Sequence, residues 1–333
     1  MAGAGMRSPR TVVGALSLAL ICSQIALMAV PAVVVELQRA WSLNASQIGW
    51  LGGIFFAGYA AGLPLLSAAA GRIDGRFVYA ASAVLASLAS FGFAELASGF
   101  SSALVLRFLA GVGFSGVHIL GLKLMADRLE GTAQARAGAF YSAAYAFGSA
   151  CSFLVAGPLA ARFGWSAAFL AAGVGALLAV PALFFIGPAL PGRDVRSVRW
   201  FPDYAAALRV AGTRRFILGY GGNTWEVFSM RVWFVPVLAF NASLPGHEPM
   251  GWSFPVLAGL AAIAAIPVSI AVAEAGIRFG AERVIALVSL SSVAICVVLG
   301  FAVDAAPGLL LARLVLHGAT SYRDAGAITA RFI

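Results

Sequence analysis

Apolar residues run along this chain in stretches of about twenty, separated by short polar breaks. A helix rising about 1.5 Å per residue needs roughly 20 apolar residues to cross the bilayer core. Ten stretches of that length occur, at 12–36, 47–70, 77–97, 102–125, 138–161, 166–187, 215–239, 253–275, 284–303 and 307–325. The pattern predicts an all-α integral membrane protein. The first stretch is too long and too apolar for a cleaved signal segment and follows Arg7 and Arg10, so it reads as the first span.

The polar breaks set orientation and organisation. Basic residues flanking membrane spans concentrate on the cytoplasmic side. Alternating ten spans from a cytoplasmic N-terminus places seventeen of the 22 basic residues inside, only Arg39 and Arg162 outside, and Arg107, Arg231 and Arg313 within spans. One miscounted helix would scramble that asymmetry. The longest polar break, 188–214, holds Pro188, Pro191, Gly192 and a series of arginines. It predicts an N-terminal six-helix bundle over 1–187, a cytoplasmic basic linker over 188–214 and a four-helix bundle over 215–333.

Composition agrees. Hydrophobic residues make up 61% of the chain and charged residues 11%, against about 25% charged in soluble domains. The net charge of +9 comes without a basic patch interleaved with aromatic residues, which argues against nucleic acid as a partner. Cys22, Cys151 and Cys296 lie in apolar stretches at no metal-site spacing, so neither metal nor cofactor is expected. The arginine-rich, alanine-rich usage fits a bacterial inner (cytoplasmic) membrane protein. No G-x-x-x-x-G-K-[ST] segment, paired aspartates, H-E-x-x-H or nucleophile elbow occurs, which argues against ATP-driven transport and against an enzyme.

The two halves match at a fixed offset. Arg72 and Arg278 follow spans 2 and 8, and 278 − 72 = 206; Arg107 and Arg313 lie early in spans 4 and 10, and 313 − 107 = 206. Pro31 pairs with Pro236 to within one residue. A complete second copy would end near 187 + 206 = 393, whereas the chain stops at 333 among the rather polar residues Ser321–Tyr322–Arg323–Asp324. This reading favours a truncated frame lacking two helices over a natural ten-helix form.

Three segments carry a family resemblance: the loop Gly71–Arg72–Ile73–Asp74–Gly75–Arg76, the stretch Arg107–Phe108–Leu109–Ala110–Gly111–Val112–Gly113, and Gly157–Pro158 followed by Gly164–Trp165. Placed in this topology, they resemble the loop 2–3 signature, the fourth-helix R-x-x-x-G-x-G and the fifth-helix Gly-Pro of the major facilitator superfamily of secondary transporters. The resemblance implies two helical bundles, alternating access, and a central cavity lined by helices 1, 4, 7 and 10. It assigns a gating role to Arg72, Asp74, Arg76 and Arg278, and a role in proton coupling to Arg107. Departures are specific. Gly71 replaces the aspartate that latches the family's halves together, and Phe153 and Ala161–Arg162 interrupt the exporter form of the Gly-Pro motif. For Gly111, Gly113, Gly148, Gly157 and Pro158, close helix packing is the alternative reading.

Ionisable groups inside a bilayer are costly unless they are paired or face water. Here they fall on spans 1, 4, 7 and 10: Gln24 beside Ser23; Arg107 and His118; Asn223, Trp225, Glu226 and Arg231; Arg313 and His317. Glu226 lies about 16 Å deep in its span, where a carboxylate suits carrying a proton or forming an ion pair. Arg231 is about 140° around the helix from it. Arg107 and Arg313 could instead snorkel to the outer surface, and His118 could be a structural histidine. Trp225 could stack on a substrate. Three arginines against one glutamate favour an anion. The expected protein is a monomeric, proton-coupled secondary transporter of a small organic or inorganic anion, with the lipid bilayer as its other partner. A non-transporting remnant or membrane scaffold of the same fold is the alternative.

Overall fold

A computed structural model describes residues 8–187, 204–247 and 250–321. No strand occurs among them. Arg193, Arg196 and Arg199 of the expected linker, and the segment after Ser321, lie outside the described residues. The chain divides into two compact units, residues 1–202 and 203–333.

In the first unit, Ser8 caps α1 (Pro9–Ser23), accepting from the Thr11 amide, with Pro9 in the first turn where its missing N–H costs nothing. α2 (Ile25–Trp41) continues the same span beyond a bend at Gln24. Ser42, in the left-handed region at φ 50°, turns the chain, and Asn44 opens α3 (Ala45–Ala69) with a reciprocal capping box to Gln47. Asp74 caps α4 (Gly75–Leu96). The fourth span is built from α5 (Phe100–Ser115), a π-helical turn (Gly116–Leu120) and α6 (Gly121–Ala126). α7 (Gly131–Phe163) and α8 (Trp165–Leu177) meet at Gly164, whose φ of 85° lets one residue reverse the chain. A short 3-10 turn, Pro181–Phe185, completes the sixth span.

α3 packs on α5, α4 on α5 and α8, and α1 and α2 on α7. At the span ends, Arg128 donates to the carbonyls of Leu124 (2.9 Å), Ile186 (3.2 Å) and Gly187 (3.1 Å). One buried side chain thereby satisfies carbonyls that the ends of the fourth and sixth spans leave open.

The second unit begins with α9 (Tyr204–Arg209) and α10 (Ala211–Ala242), so residues 204–209 and 211–214 of the expected linker are helical, with Val210 extended between them. α11 (Phe254–Phe279) and α12 (Ala281–Phe301) are joined by the single residue Gly280 at φ 93°. α13 (Pro307–Ser321) packs against α10, α11 and α12. Asn241 at the end of α10 donates to the carbonyls of Val303 (2.8 Å) and Ala305 (2.9 Å), fixing the turn before α13.

Counting α1–α2 and α5–α6 as continuous rods, eight of these helices are long and apolar enough to cross a membrane. Neither of the other two predicted spans, 215–239 and 307–325, is among the eight; their described residues fall in α10 and α13. α10 has the length, but Asn223, Glu226 and Arg231 make its middle turns polar. α13 has 15 described residues.

Candidate functional site

In the first unit the geometry starts at Pro31. It has no N–H to give to the Leu27 carbonyl one turn earlier. Arg107, from α5, donates to that carbonyl (3.2 Å) and to the Ala26 carbonyl (2.6 Å), and lies 4.5 Å from the Phe55 ring centre. Arg107 is 2% exposed. It does not snorkel: the guanidinium is sealed inside the bundle, bonding the bent first span. Neighbouring carbonyls are claimed likewise, with Ser152 donating to Ile25 (3.0 Å) and Ser23 donating back to Ala19 (2.7 Å). Gln24, fully buried at the bend, donates from Nε2 to the Tyr145 carbonyl (3.0 Å), while its Oε1 has no partner among the described residues.

His118 sits on the π-helical turn, half-buried among aromatic rings. Its Nδ1 lies 2.9 Å from the Tyr59 hydroxyl. Tyr145 stacks on it with ring centres 4.6 Å apart, and Phe114 and Tyr141 lie at 6.0 and 6.1 Å. A π-turn widens the helix and disturbs its carbonyl ladder. The Tyr141 hydroxyl donates to the Val117 (3.1 Å) and His118 (3.0 Å) carbonyls there. Gly121 makes this possible, because a Cβ at that position would overlap the Tyr141 hydroxyl. The result is an amphipathic wall of π faces carrying one imidazole and several hydroxyls.

The remaining predicted residues of this unit are dispersed. Arg72 is exposed in the turn after α3. Asp74 and Arg76 form a local ion pair at 2.6 Å. The Arg76 side chain, donating to the Asp74 carboxylate, holds that carboxyl below its ordinary range. Gly111 and Gly113 are packing residues: a Cβ on Gly111 would strike the Phe55 carbonyl, and one on Gly113 would come within 2.6 Å of the Ser82 carbonyl. Gly148 faces Ile21 and Gln24. Gly157 is buried within α7, which runs on through Pro158.

In the second unit, Glu226 is the centre of a polar cluster drawn from three helices. Its Oε1 accepts from the hydroxyls of Ser292 on α12 and Ser321 on α13, the latter at 2.9 Å. His317 Nδ1 lies 3.2 Å from Ser292 Oγ and 3.9 Å from Glu226 Oε1. Thr320 donates to Ser292 Oγ (3.2 Å) and to the His317 carbonyl (2.9 Å). Arg231, 5% exposed, lies 5.3 Å from the Phe228 ring centre. Arg313 is half-buried, and its Nη1 has no hydrogen-bond partner among the described residues. Asn223 is half-buried, whereas Trp225 is 79% exposed. Arg278, expected in a loop, lies in the last turn of α11 and pairs with Glu274 at 2.9 Å.

Sequence reasoning named Glu226 and His118 but missed most of their partners. A signal existed. His317, Thr320 and Ser321 stand at i, i+3 and i+4, and Phe55–Tyr59, Phe114–His118 and Tyr141–Tyr145 are each i, i+4 pairs on one helix face. Ser292 had no such mark, being one of several serines in its span.

Eight membrane-length helices define a multi-pass membrane protein, and buried ionisable groups lie on two further helices, α10 and α13, as well as on the fourth span. The chain belongs to the Major Facilitator Superfamily, whose family model matches residues 16–322. It is similar to the niacin transporter NiaP of Acinetobacter baylyi, 26% identical over 145 residues, which are 44% of this chain and 33% of that protein. The chain spans about a third of the length of the curated relatives it matches. Among solved structures it resembles a bacterial homolog of the human lysosomal transporter Spinster (TM-score 0.73, 19% identity, 95% of this chain and 72% of that one). It also resembles the xylose transporter XylE of E. coli (TM-score 0.74, 14% identity, 96% and 86%). At those identities the likeness concerns the fold alone.

Proposed function

We propose that this chain is a secondary active transporter that carries a small organic anion together with protons, by alternating access, in the cytoplasmic membrane of a bacterium. The observation that carries this reading is the Glu226 cluster: a carboxylate within a membrane helix, held by two hydroxyls and close to an imidazole. Such a group gains and loses a proton without leaving the bundle, which is what proton coupling requires. Charge supports the anion. Both terminal nitrogens of Arg107 are given to backbone carbonyls, so recognition is assigned to Arg231 and Arg313, the latter with its Nη1 donor unused among the described residues.

A pyridine carboxylate of the niacin type is the first substrate to try. Curated relatives bear niacin in their names. The seventeen-to-two distribution of basic residues supports a cytoplasmic N-terminus. The solute is carried unchanged, so this reading needs no catalytic residue, metal or cofactor, and a single chain suffices.

The test is uptake of radiolabelled nicotinate into proteoliposomes under an outside-acid pH gradient. Wild type accumulates label, and a protonophore collapses the gain. Glu226→Gln loses gradient-driven accumulation but keeps nicotinate exchange. Full accumulation by Glu226→Gln would remove proton coupling, and absence of exchange with nicotinate and other carboxylates would favour the remnant or scaffold reading.

A further inference from the structure

Ser292 stands near the middle of α12 and is 1% exposed. Its hydroxyl touches two titratable groups on different helices, Glu226 on α10 and His317 on α13, and Thr320 adds a third hydrogen bond. The direct gap from His317 Nδ1 to Glu226 Oε1 is 3.9 Å, too long for a hydrogen bond. The hydroxyl bridges that gap. A serine oxygen carries one proton and two lone pairs, and two arrangements satisfy its contacts with Glu226 and His317, each leaving one lone pair for Thr320 when that hydroxyl's single proton turns from the His317 carbonyl. In one, protonated Glu226 donates to Ser292 Oγ, and Ser292 donates to the lone pair of neutral His317 Nδ1. In the other, Ser292 donates to the Glu226 carboxylate and accepts from the Nδ1–H of imidazolium His317.

We propose that Ser292 relays a proton between Glu226 and His317, making the pair a two-group proton site that ties α10, α12 and α13 together. The exchange balances. The Glu226 O–H bond breaks as a Ser292 O–H forms, the former Ser292 proton passes to Nδ1, and the hydroxyl ends as it began. Ser321 donates to Glu226 Oε1 in addition to Ser292. The other ionisable side chains described on the packed helices are Arg214, Arg215, Tyr220 and Arg231 on α10, Glu274 and Arg278 paired on α11, Arg283 and Cys296 on α12, and Arg313 on α13. Arg313 lies one helical turn before His317, so proton transfer to His317 places positive charge on a face that already carries an arginine. A relay therefore links proton position to the electrostatics of the proposed anion-binding residues. This inference rests on reading Glu226 as the proton carrier.

The test is pH-difference infrared spectroscopy on the full-length protein in lipid nanodiscs. The carboxyl band of Glu226 is identified by its loss in Glu226→Gln, and the ring bands of His317 by their loss in His317→Gln. In wild type the two sets change in step with pH. Ser292→Ala uncouples them into separate pH profiles and shifts the Glu226 carboxyl band, while Ser292→Thr, which keeps a hydroxyl, restores the joint profile. If the alanine variant does not fold, Ser292→Cys, a weaker donor of similar shape, serves in its place. An unaltered Glu226 band and profile in Ser292→Ala and His317→Gln overturns the relay. So does a Glu226 band that follows sodium concentration rather than pH, or the absence of any Glu226 carboxyl band across the pH range in which the protein stays folded. The two levels separate cleanly. Retained proton-driven uptake in Glu226→Gln sinks the coupling itself. Lost uptake there, with unaltered infrared profiles in the Ser292 and His317 variants, sinks the relay alone.

Discussion

At Pro31 the chain gives up a backbone donor inside a membrane helix, where no lipid can replace it. Arg107 supplies the donor from another span, 80 positions away. The pairing makes a specific prediction. Arg107→Ala leaves the Leu27 carbonyl buried and unpaired, at a cost of about 1–3 kcal/mol, read as a lower unfolding temperature in detergent. Adding Pro31→Ala returns an amide to Leu27, so the double variant should recover part of that loss. A double-mutant cycle showing simple additivity would contradict the arrangement. The His118 cluster yields a second residue-level prediction. If it receives a planar solute, Tyr145→Ala removes the stacked ring and raises KM for nicotinate roughly two- to tenfold, an aromatic contact being worth about 0.5–1.5 kcal/mol. An unchanged KM would move recognition elsewhere.

Between helices, the tightest joint is α3 against α5. Gly58 faces the Phe108 carbonyl and Gly111 faces the Phe55 carbonyl, each with no room for a Cβ. Without water to drive helices together, such close approach and the dispersion it permits hold a membrane bundle. Gly111→Val should therefore abolish the folded, monodisperse peak in size-exclusion chromatography, whereas Gly14→Ala, which meets nothing within 4 Å, should leave it intact. The start of α4 depends on charge instead. Asp74 accepts from the Arg76 amide at 2.9 Å and from its guanidinium, and its carboxyl titrates below the ordinary carboxylate range. A group with a depressed folded-state value stabilises the fold above its unfolded value, about pH 3.9, and loses that contribution as pH falls through the folded one. Asp74→Asn keeps a capping side chain but loses the ion pair. It should be less stable than wild type at neutral pH by no more than about 1 kcal/mol, and the gap should close below about pH 4. A gap that persists in acid would assign the effect to something other than the charge.

For the molecule as a whole, orientation is the accessible test. In a background without Cys22, Cys151 and Cys296, Ser46→Cys near the first loop should react with a membrane-impermeant thiol reagent in intact cells. Ile73→Cys, exposed in the next loop, should react only after permeabilisation. The opposite result would invert the topology.

Much of this protein was legible in its sequence because the bilayer acts on residues one at a time. Transfer free energy adds along the chain, so span positions, their alternation and the arginine asymmetry need no tertiary information. Repetition at an offset of 206 and the gathering of polar groups on four spans follow from the same linear reading. Contacts between spans do not. Arg107 looked like a residue near an interface and lies sealed against carbonyls that a proline exposes. Glu226 was visible as a buried acid, but its partners Ser292 and Ser321 stand 66 and 95 positions away, and nothing local distinguishes Ser292 from its neighbours. A helix face meets its partner through packing that depends on every helix around it. The sequence by itself therefore determined where the long apolar helices lie and which helices bear charge, and only the tertiary structure decided which charge meets which hydroxyl, carbonyl or ring.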